Sequence, residues 1–287
     1  MPDPDYAMTT VGGLVVIFAR FTCQAGAAAL LFCAAGALQA TAAEANRVNA
    51  RFEIYGFAGL HVLTNHTSVE EVGDRYAIFM DLDTRGLASV FVDMTSRSQV
   101  SGKLTRTAAQ PESYRAAVRR NGDDRQYQVD YGGDGSVINA SASSPIARPI
   151  LVAAEQIRGT VDQLTAYFLV ERQLARGGPC ALVVPVFDGS GLYNLRFSDM
   201  TRENLAADRY QNFAGPSQVC GVAREDIVAN PDHSEDTYRR GKIWYARIIT
   251  GDRLVPVRME FDTAFGAVKG YLAELRGRGV NIQLMRE

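Results

Sequence analysis

Four groupings of side chains in this 287-residue chain have types and spacings that chemistry could use. Asp81 and Asp83 stand two apart with Arg85 beyond. On a strand that spacing puts both carboxylates on one face, the arrangement acid/base work needs and also the arrangement of an ordinary solvated strand face. His61 and His66, followed by Glu70 and Glu71, offer metal-ligand types, but five residues along a strand send the two imidazoles to opposite faces. Asp130 and Asp134 echo a calcium loop without its distal glutamate. Ser190, between Gly189 and Gly191, reads as a hairpin serine, and Asp188 before it as a carboxylate that accepts the turn's own backbone N–H groups.

The motifs that announce an enzyme do not occur. There is no G-x-S-x-G elbow, no phosphate-binding or dinucleotide-binding glycine loop, and no H-E-x-x-H helix. No catalytic residue, cofactor or metal ligand is therefore assigned. A hydrolase or transferase would have to fall back on Asp81, Asp83 and Asp188. The net charge of −2 lacks the positive excess that nucleic-acid binding draws on. Small basic groups at Arg115, Arg119 and Arg120, and at Arg239, Arg240 and Lys242, read as strand-end charge or as contacts for anionic lipid or glycan.

The compartment follows from the first 43 residues. Arg20, the apolar run Ala25–Leu38 and the ending Ala40-Thr41-Ala42 have the layout of a secretory signal peptide, with the uncleaved membrane anchor as the other reading. Export to the periplasm is expected, leaving residues 44–287 as one β-rich domain with no stable membrane span after cleavage. Cys23 and Cys33 leave with the leader. Cys180 and Cys220 remain, and two cysteines in an oxidising compartment are expected to pair as a disulfide; the alternatives are a metal pair short of further ligands and a redox pair without C-x-x-C spacing.

The elements that must position these residues read as strands. Phe52–Val62, Tyr76–Leu82, Leu87–Met94, Gln126–Tyr131 and Leu182–Phe187 are rich in Val, Ile, Phe and Tyr and are divided by Gly/Asp turns. Lys242–Ile249, Leu254–Phe261 and Ala267–Leu275 form a meander, in which Pro256 implies an edge or a bulge. One helix interrupts them. Thr160-Val161-Asp162-Gln163 resembles a capping box, helical spacing follows, and Gly177-Gly178-Pro179 stops it, so a helix is expected from Asp162 to Arg176. Pro149–Ile157 adds a shorter helix. The fold class is mainly β: a single strongly curved antiparallel sheet, open or spiral and barrel-like, with one or two short helices.

In combination, several stretches resemble one family. Gly159-Thr160-Val161-Asp162-Gln163-Leu164, Cys180, Pro185-Val186-Phe187-Asp188-Gly189 with Tyr193-Asn194-Leu195, Cys220, and Leu254-Val255-Pro256-Val257-Arg258 are similar to domain of unknown function 3108, from about Phe52 to Leu275. The resemblance implies an exported β protein of Gram-negative bacteria, of open or spiral barrel shape, without an agreed active site. Three readings stay open. A non-enzymatic envelope protein would hold a lipid, lipoprotein or partner segment in its concavity unless the inward side chains simply fill a core. A periplasmic hydrolase or transferase would use a carboxylate site. A structural partner of cell-wall machinery would bind by edge-strand addition. Oligomeric state is not legible.

Overall fold

Alternation is plainest in the third strand, where Tyr76 and Ile78 are buried and Ala77 and Phe79 are exposed, the pattern of a sheet with one packed and one wet face. A computed structural model describes residues 46–84, 93–143, 152–189, 191–228, 239–263 and 266–285, except the side chain of residue 57. The strands are β1 (Arg47–Tyr55), β2 (His61–Val72), β3 (Arg75–Thr84), β4 (Met94–Leu104), β5 (Ala109–Arg120), β6 (Asp123–Tyr131) and β7 (Val137–Ser143), then β8 (Leu182–Phe187), β9 (Leu192–Leu205), β10 (Gly215–Val228), β11 (Arg240–Ala246), β12 (Val255–Thr263), β13 (Gly266–Gly277) and β14 (Val280–Gln283). All join one antiparallel sheet in the order β7-β6-β5-β4-β3-β2-β1-β13-β12-β11-β10-β9-β8, with β14 on β13. The sheet does not close into a barrel. The expected leader lies outside the described residues. Among those described, no helix is long and apolar enough to cross a membrane.

Two helices lie between β7 and β8: α1 (Ala154–Ile157) and α2 (Gln163–Ala175). The expected helix is present almost to the residue, but its cap differs from the capping box. Asp162 is the N-cap and accepts from the Thr165 N–H, while Thr160 turns its hydroxyl back to the Ile157 carbonyl. The box fails because Thr160 lies before the helix: Val161 there pairs in parallel with Val186 of β8. At the far end, Gly177 takes a left-handed conformation and the Gly178 N–H reaches the Gln173 carbonyl, a C-terminal stop that glycine permits.

Helix α2 is apolar on more than one side, and this sets the architecture. Leu164 and Phe168 join a core with Tyr76, Ile78, Val100, Tyr114 and Val129 of β3–β6. Ala166, Val170 and Leu174 join a second core with Val184, Leu195, Val222 and Tyr245 of β8–β11. These two strand groups lie toward opposite ends of the strand order, so the sheet curves to bring both to one helix. A third core gathers Phe52, Trp244, Val257 and Leu272.

The expected strand Phe52–Val62 is two strands. A turn at Phe57–Gly59 divides it, with Ala58 and Gly59 in the left-handed region and Gly56 bonded to the Leu60 carbonyl. A Cβ on Gly59 would also strike the Tyr210 hydroxyl. The Leu87–Met94 strand lies outside the described residues apart from its last two positions, and Met94 opens β4. Pro256 sits at a bulge, where Val257 is the extra residue between the Trp244–Arg258 and Tyr245–Pro256 pairs. Pro111 occupies a second bulge, consistent with a residue that cannot donate to the ladder.

Cys180 and Cys220 form a disulfide, both fully buried, with Cα atoms 5.6 Å apart. The bond staples the segment leaving α2 across β9 to β10, and the Cys180 N–H donates to Asp199 on the intervening strand. Loop entropy for the 40-residue separation bounds its contribution at ~4 kcal/mol. Cys180→Ser should lower Tm by roughly 10 °C under oxidising conditions and leave the reduced protein almost unchanged. Equal losses in thermal melts with and without reductant would contradict a structural bond.

Candidate functional site

Two of the aspartates singled out in the sequence share one buried network. Asp162 is fully buried at the N-cap of α2, where Oδ1 accepts from the Thr165 N–H at 3.0 Å and Oδ2 from the Thr165 hydroxyl at 2.6 Å. With its proton committed there, Thr165 Oγ1 accepts from the Tyr76 hydroxyl of β3 at 2.8 Å. Asp188 is buried at the β8–β9 turn. Its Oδ1 accepts from the Gly191 N–H at 3.1 Å, as the sequence suggested, and its Oδ2 from the Tyr193 hydroxyl at 2.7 Å. Gly189 beside it has φ +79°, and a Cβ there would stand 3.3 Å from Tyr127 of β6. Both the turn and the close strand approach therefore call for glycine.

The network crosses from one flank of the sheet to the other. Tyr131 of β6 donates to the Phe187 carbonyl of β8 at 3.0 Å, and Tyr114 of β5 bonds to Ser98 of β4. The Arg224 guanidinium of β10 lies 3.5 Å from the centre of the Tyr193 ring. Backbone bonds continue the link: the Gly159 N–H donates to Gly135 in the β6–β7 turn, and Val161 exchanges bonds with Pro185 and Phe187 of β8.

Burial raises the Asp162 carboxyl to about 6, against the opposing Thr165 bonds and with a smaller push from Asp188. Burial likewise drives the Tyr76, Tyr114 and Tyr131 hydroxyls far above the usual phenol range, with one or both aspartates adding to the shift. Arg224 is held protonated: burial opposes its charge, but Tyr193, Asp226 and Asp188 outweigh it. These groups are buried donors and acceptors that bond to one another and to the backbone.

A second tie holds the opposite end of α2. Glu71 of β2 accepts from Arg172 of α2 at 3.0 Å and from Arg253 in the β11–β12 turn at 2.5 Å. Desolvation raises the neighbouring Glu171 carboxyl to about 7, with Glu71 reinforcing and Arg253 opposing.

The other candidates are dispersed. Asp81 and Asp83 share the outward face of β3, where Asp81 pairs with Arg97 at 3.2 Å, whereas Asp188 is interior, so these three carboxylates do not converge. His61 meets Glu53 at 2.6 Å, His66 is exposed, and no cluster of metal ligands occurs among the described residues. Asp130 pairs with Arg115 at 3.3 Å, and Asp134 with Ser136 and Arg158. Ser190 and Arg85 lie outside the described residues.

The outward face of β1–β7 carries two adjoining grooves, of about 490 and 430 Å³, which share Phe79, Gln99 and Arg115. Sequence reasoning passed over this face and over the tyrosines. Ser, Gln and Arg at alternate positions look like any solvated strand, and Tyr127-x-Val129-x-Tyr131 looks like any core strand.

An open antiparallel sheet curved around a central helix places the protein among mainly β, barrel-like proteins. The model of the family described as "protein of unknown function (DUF3108)" matches residues 51–273, and the chain belongs to that family. Among solved structures it is similar to a β-barrel-like protein of domain of unknown function DUF1849 from Brucella abortus, with 11% identity, a TM-score of 0.47, and coverage of 81% of this chain and 98% of that one. No curated protein matches it.

The Asp162 carboxyl titrates higher in the folded protein than its ordinary value of 3.8. The folded state therefore holds the proton more tightly. This contribution is complete below about pH 4 and is lost as pH rises toward 6. In Asp162→Asn a neutral carboxamide replaces the titrating group and still caps the helix. The stability of Asp162→Asn relative to wild type should rise between pH 4 and 7, by up to ~3 kcal/mol. Urea denaturation of both proteins across that range checks this, and parallel pH profiles would contradict it.

Proposed function

We propose that this protein is an exported, non-enzymatic binding protein of the cell envelope that engages an elongated ligand on the outward face of β1–β7, with its interior serving as scaffold. The observation that carries this reading is the position of α2. It occupies the concave side between the β3–β6 and β8–β11 cores, where an acyl chain or partner segment would otherwise lie. The grooves lie on the opposite face, on the same strands. A binding site needs a recess lined by a few well-placed polar groups, and the two grooves supply both on the outward face.

The hydrolase or transferase reading rests on Asp81, Asp83 and Asp188, which do not converge, and would have to turn to the buried pair Asp162 and Asp188. Both carboxylates already accept from Thr165, Gly191 and Tyr193 under the apolar cover of α2, an arrangement suited to fixing the fold. Export is supported by the leader-like first 43 residues and by the disulfide, which oxidising compartments sustain.

Native mass spectrometry of the full chain expressed in a Gram-negative cell and purified from its periplasm, followed by organic extraction, tests the proposal. The expected species begins near residue 44, lacks two hydrogens for one disulfide, and carries no extractable acyl compound. A stoichiometric lipid in the extract would move the ligand to the interior and overturn the reading.

A further inference from the structure

The lining of the outward grooves points to a chemical class of ligand. The first groove runs from Arg47 and Asn49 of β1 across Ser68, Phe79 and Gln99 to Arg115 of β5, and the second continues over Gln128 to Ser141 of β7. Cross-strand pairing sets these side chains in a row: Ser68 opposite Phe79, Phe79 opposite Gln99, Gln99 opposite Arg115, Arg115 opposite Gln128, and Gln128 opposite Ser141. With adjacent strands ~4.8 Å apart, the seven strands give a track of roughly 30 Å. It would accept a chain rather than a small molecule.

Three features of the track narrow the ligand. First, its charge cancels: Arg47 pairs with Glu70 at 2.6 Å, Arg97 with Asp81 at 3.2 Å, and Arg115 with Asp130 at 3.3 Å. An anionic chain would meet as many carboxylates as guanidinium groups, so no net attraction favours it. Second, the remaining groups are mostly hydroxyls and carboxamides, which both donate and accept. They surround one large exposed apolar side chain, the Phe79 ring, 40% exposed at the centre. A flat aromatic ring among such groups suits the C–H face of a sugar ring and its flanking hydroxyls, and a fatty chain would leave those polar groups unmatched. Third, this is a sheet face and not an edge, so the backbone N–H and C=O groups beneath it are committed between strands. An extended peptide would find no ladder to join, whereas a glycan's donors and acceptors lie on its rings, within reach of side chains.

We infer that the outward face of β1–β7 binds a neutral polysaccharide strand, with Phe79 stacking on a sugar ring and Gln99, Gln128 and the Arg115–Asp130 pair reading its hydroxyls. This rests on the outward-face reading above and specifies its ligand.

The test is a titration of the isotope-labelled mature protein with three probes: a neutral N-acetylglucosamine hexamer, a heparin-derived hexasaccharide, and an extended hexapeptide. Amide shifts locate binding. The neutral hexamer should shift the amides of Ser68, Phe79, Gln99 and Arg115. Phe79→Ala should weaken its affinity by about tenfold while lowering the melting temperature by only a few degrees, since the ring is partly exposed and outside the core, and Gln99→Ala by a smaller factor. Shifts at this face from the heparin hexasaccharide or the peptide alone would keep the face as a binding surface and overturn the neutral polysaccharide as its ligand. An unshifted face with all three probes would overturn the glycan and the outward-face reading together. Neutral-hexamer binding unaffected by Phe79→Ala would overturn the role given to that residue, and with it the inference.

Discussion

An antiparallel sheet that ends in β7 on one side and β8 on the other has to bury its inner face without closing on itself, and α2 is what makes that possible here. The helix presents Phe168 to one flank of the sheet and Val170 to the other. Burying those faces supplies the apolar driving force, but apolar packing alone does not fix how a helix sits. Register comes from the hydrogen-bonded relay Tyr76 to Thr165 to Asp162, which ties the first turn of α2 to β3, and from Glu71, which ties its last turns to β2 and the β11–β12 turn. The cost of burying the Asp162 carboxyl is visible in its raised pKa. Partly satisfied, such a network would be worse than an apolar core; fully satisfied, it specifies one arrangement.

A filled concavity turns attention to the opposite face. Strands of a curved sheet that are apolar inside are free to be polar outside, and β2–β7 use that freedom almost without interruption, with Ser, Thr, Gln and Asn spaced between paired charges. Phe79 breaks the pattern: it is a large aromatic on the wet face of β3, at the point where the two grooves meet. The interior thus holds the shape, and the exterior offers the surface.

Legibility in the sequence follows the range of the interactions. Helix α2 was readable because its signals are local: a helical repeat, a Gly-Gly-Pro stop and a cap-like start at Thr160–Gln163, although Asp162 and not Thr160 makes the cap. The meander β11–β13 was readable because Val255, Val257, Met259 and Phe261 keep period two through a bulge that Pro256 announces. β4 was not, because its inward positions include Ser98 and Gly102, and Val100 between them is too isolated an apolar residue to mark the period. The break inside Phe52–Val62 was missed because the residues around Gly56 and Gly59 are apolar enough to pass for strand, although two glycines in four residues were a turn signal. The cysteine pair was legible from count and from the oxidising compartment that the leader-like segment led one to expect. The gathering of Tyr76, Tyr131, Thr165 and Tyr193 was not, because it depends on strand order, which no local pattern encodes.

Backbone amide hydrogen exchange in Thr165→Val tests most directly whether α2 joins the flanks. This nearly isosteric change removes the hydroxyl that donates to Asp162 and accepts from Tyr76. If the relay holds the two flanks to the helix, protection should fall together in α2, β3–β6 and β8–β9, while β12 and β13 at the centre of the sheet keep theirs. Loss confined to α2, with both flanks unchanged, would show that the sheet holds its curvature without the helix and would contradict the account.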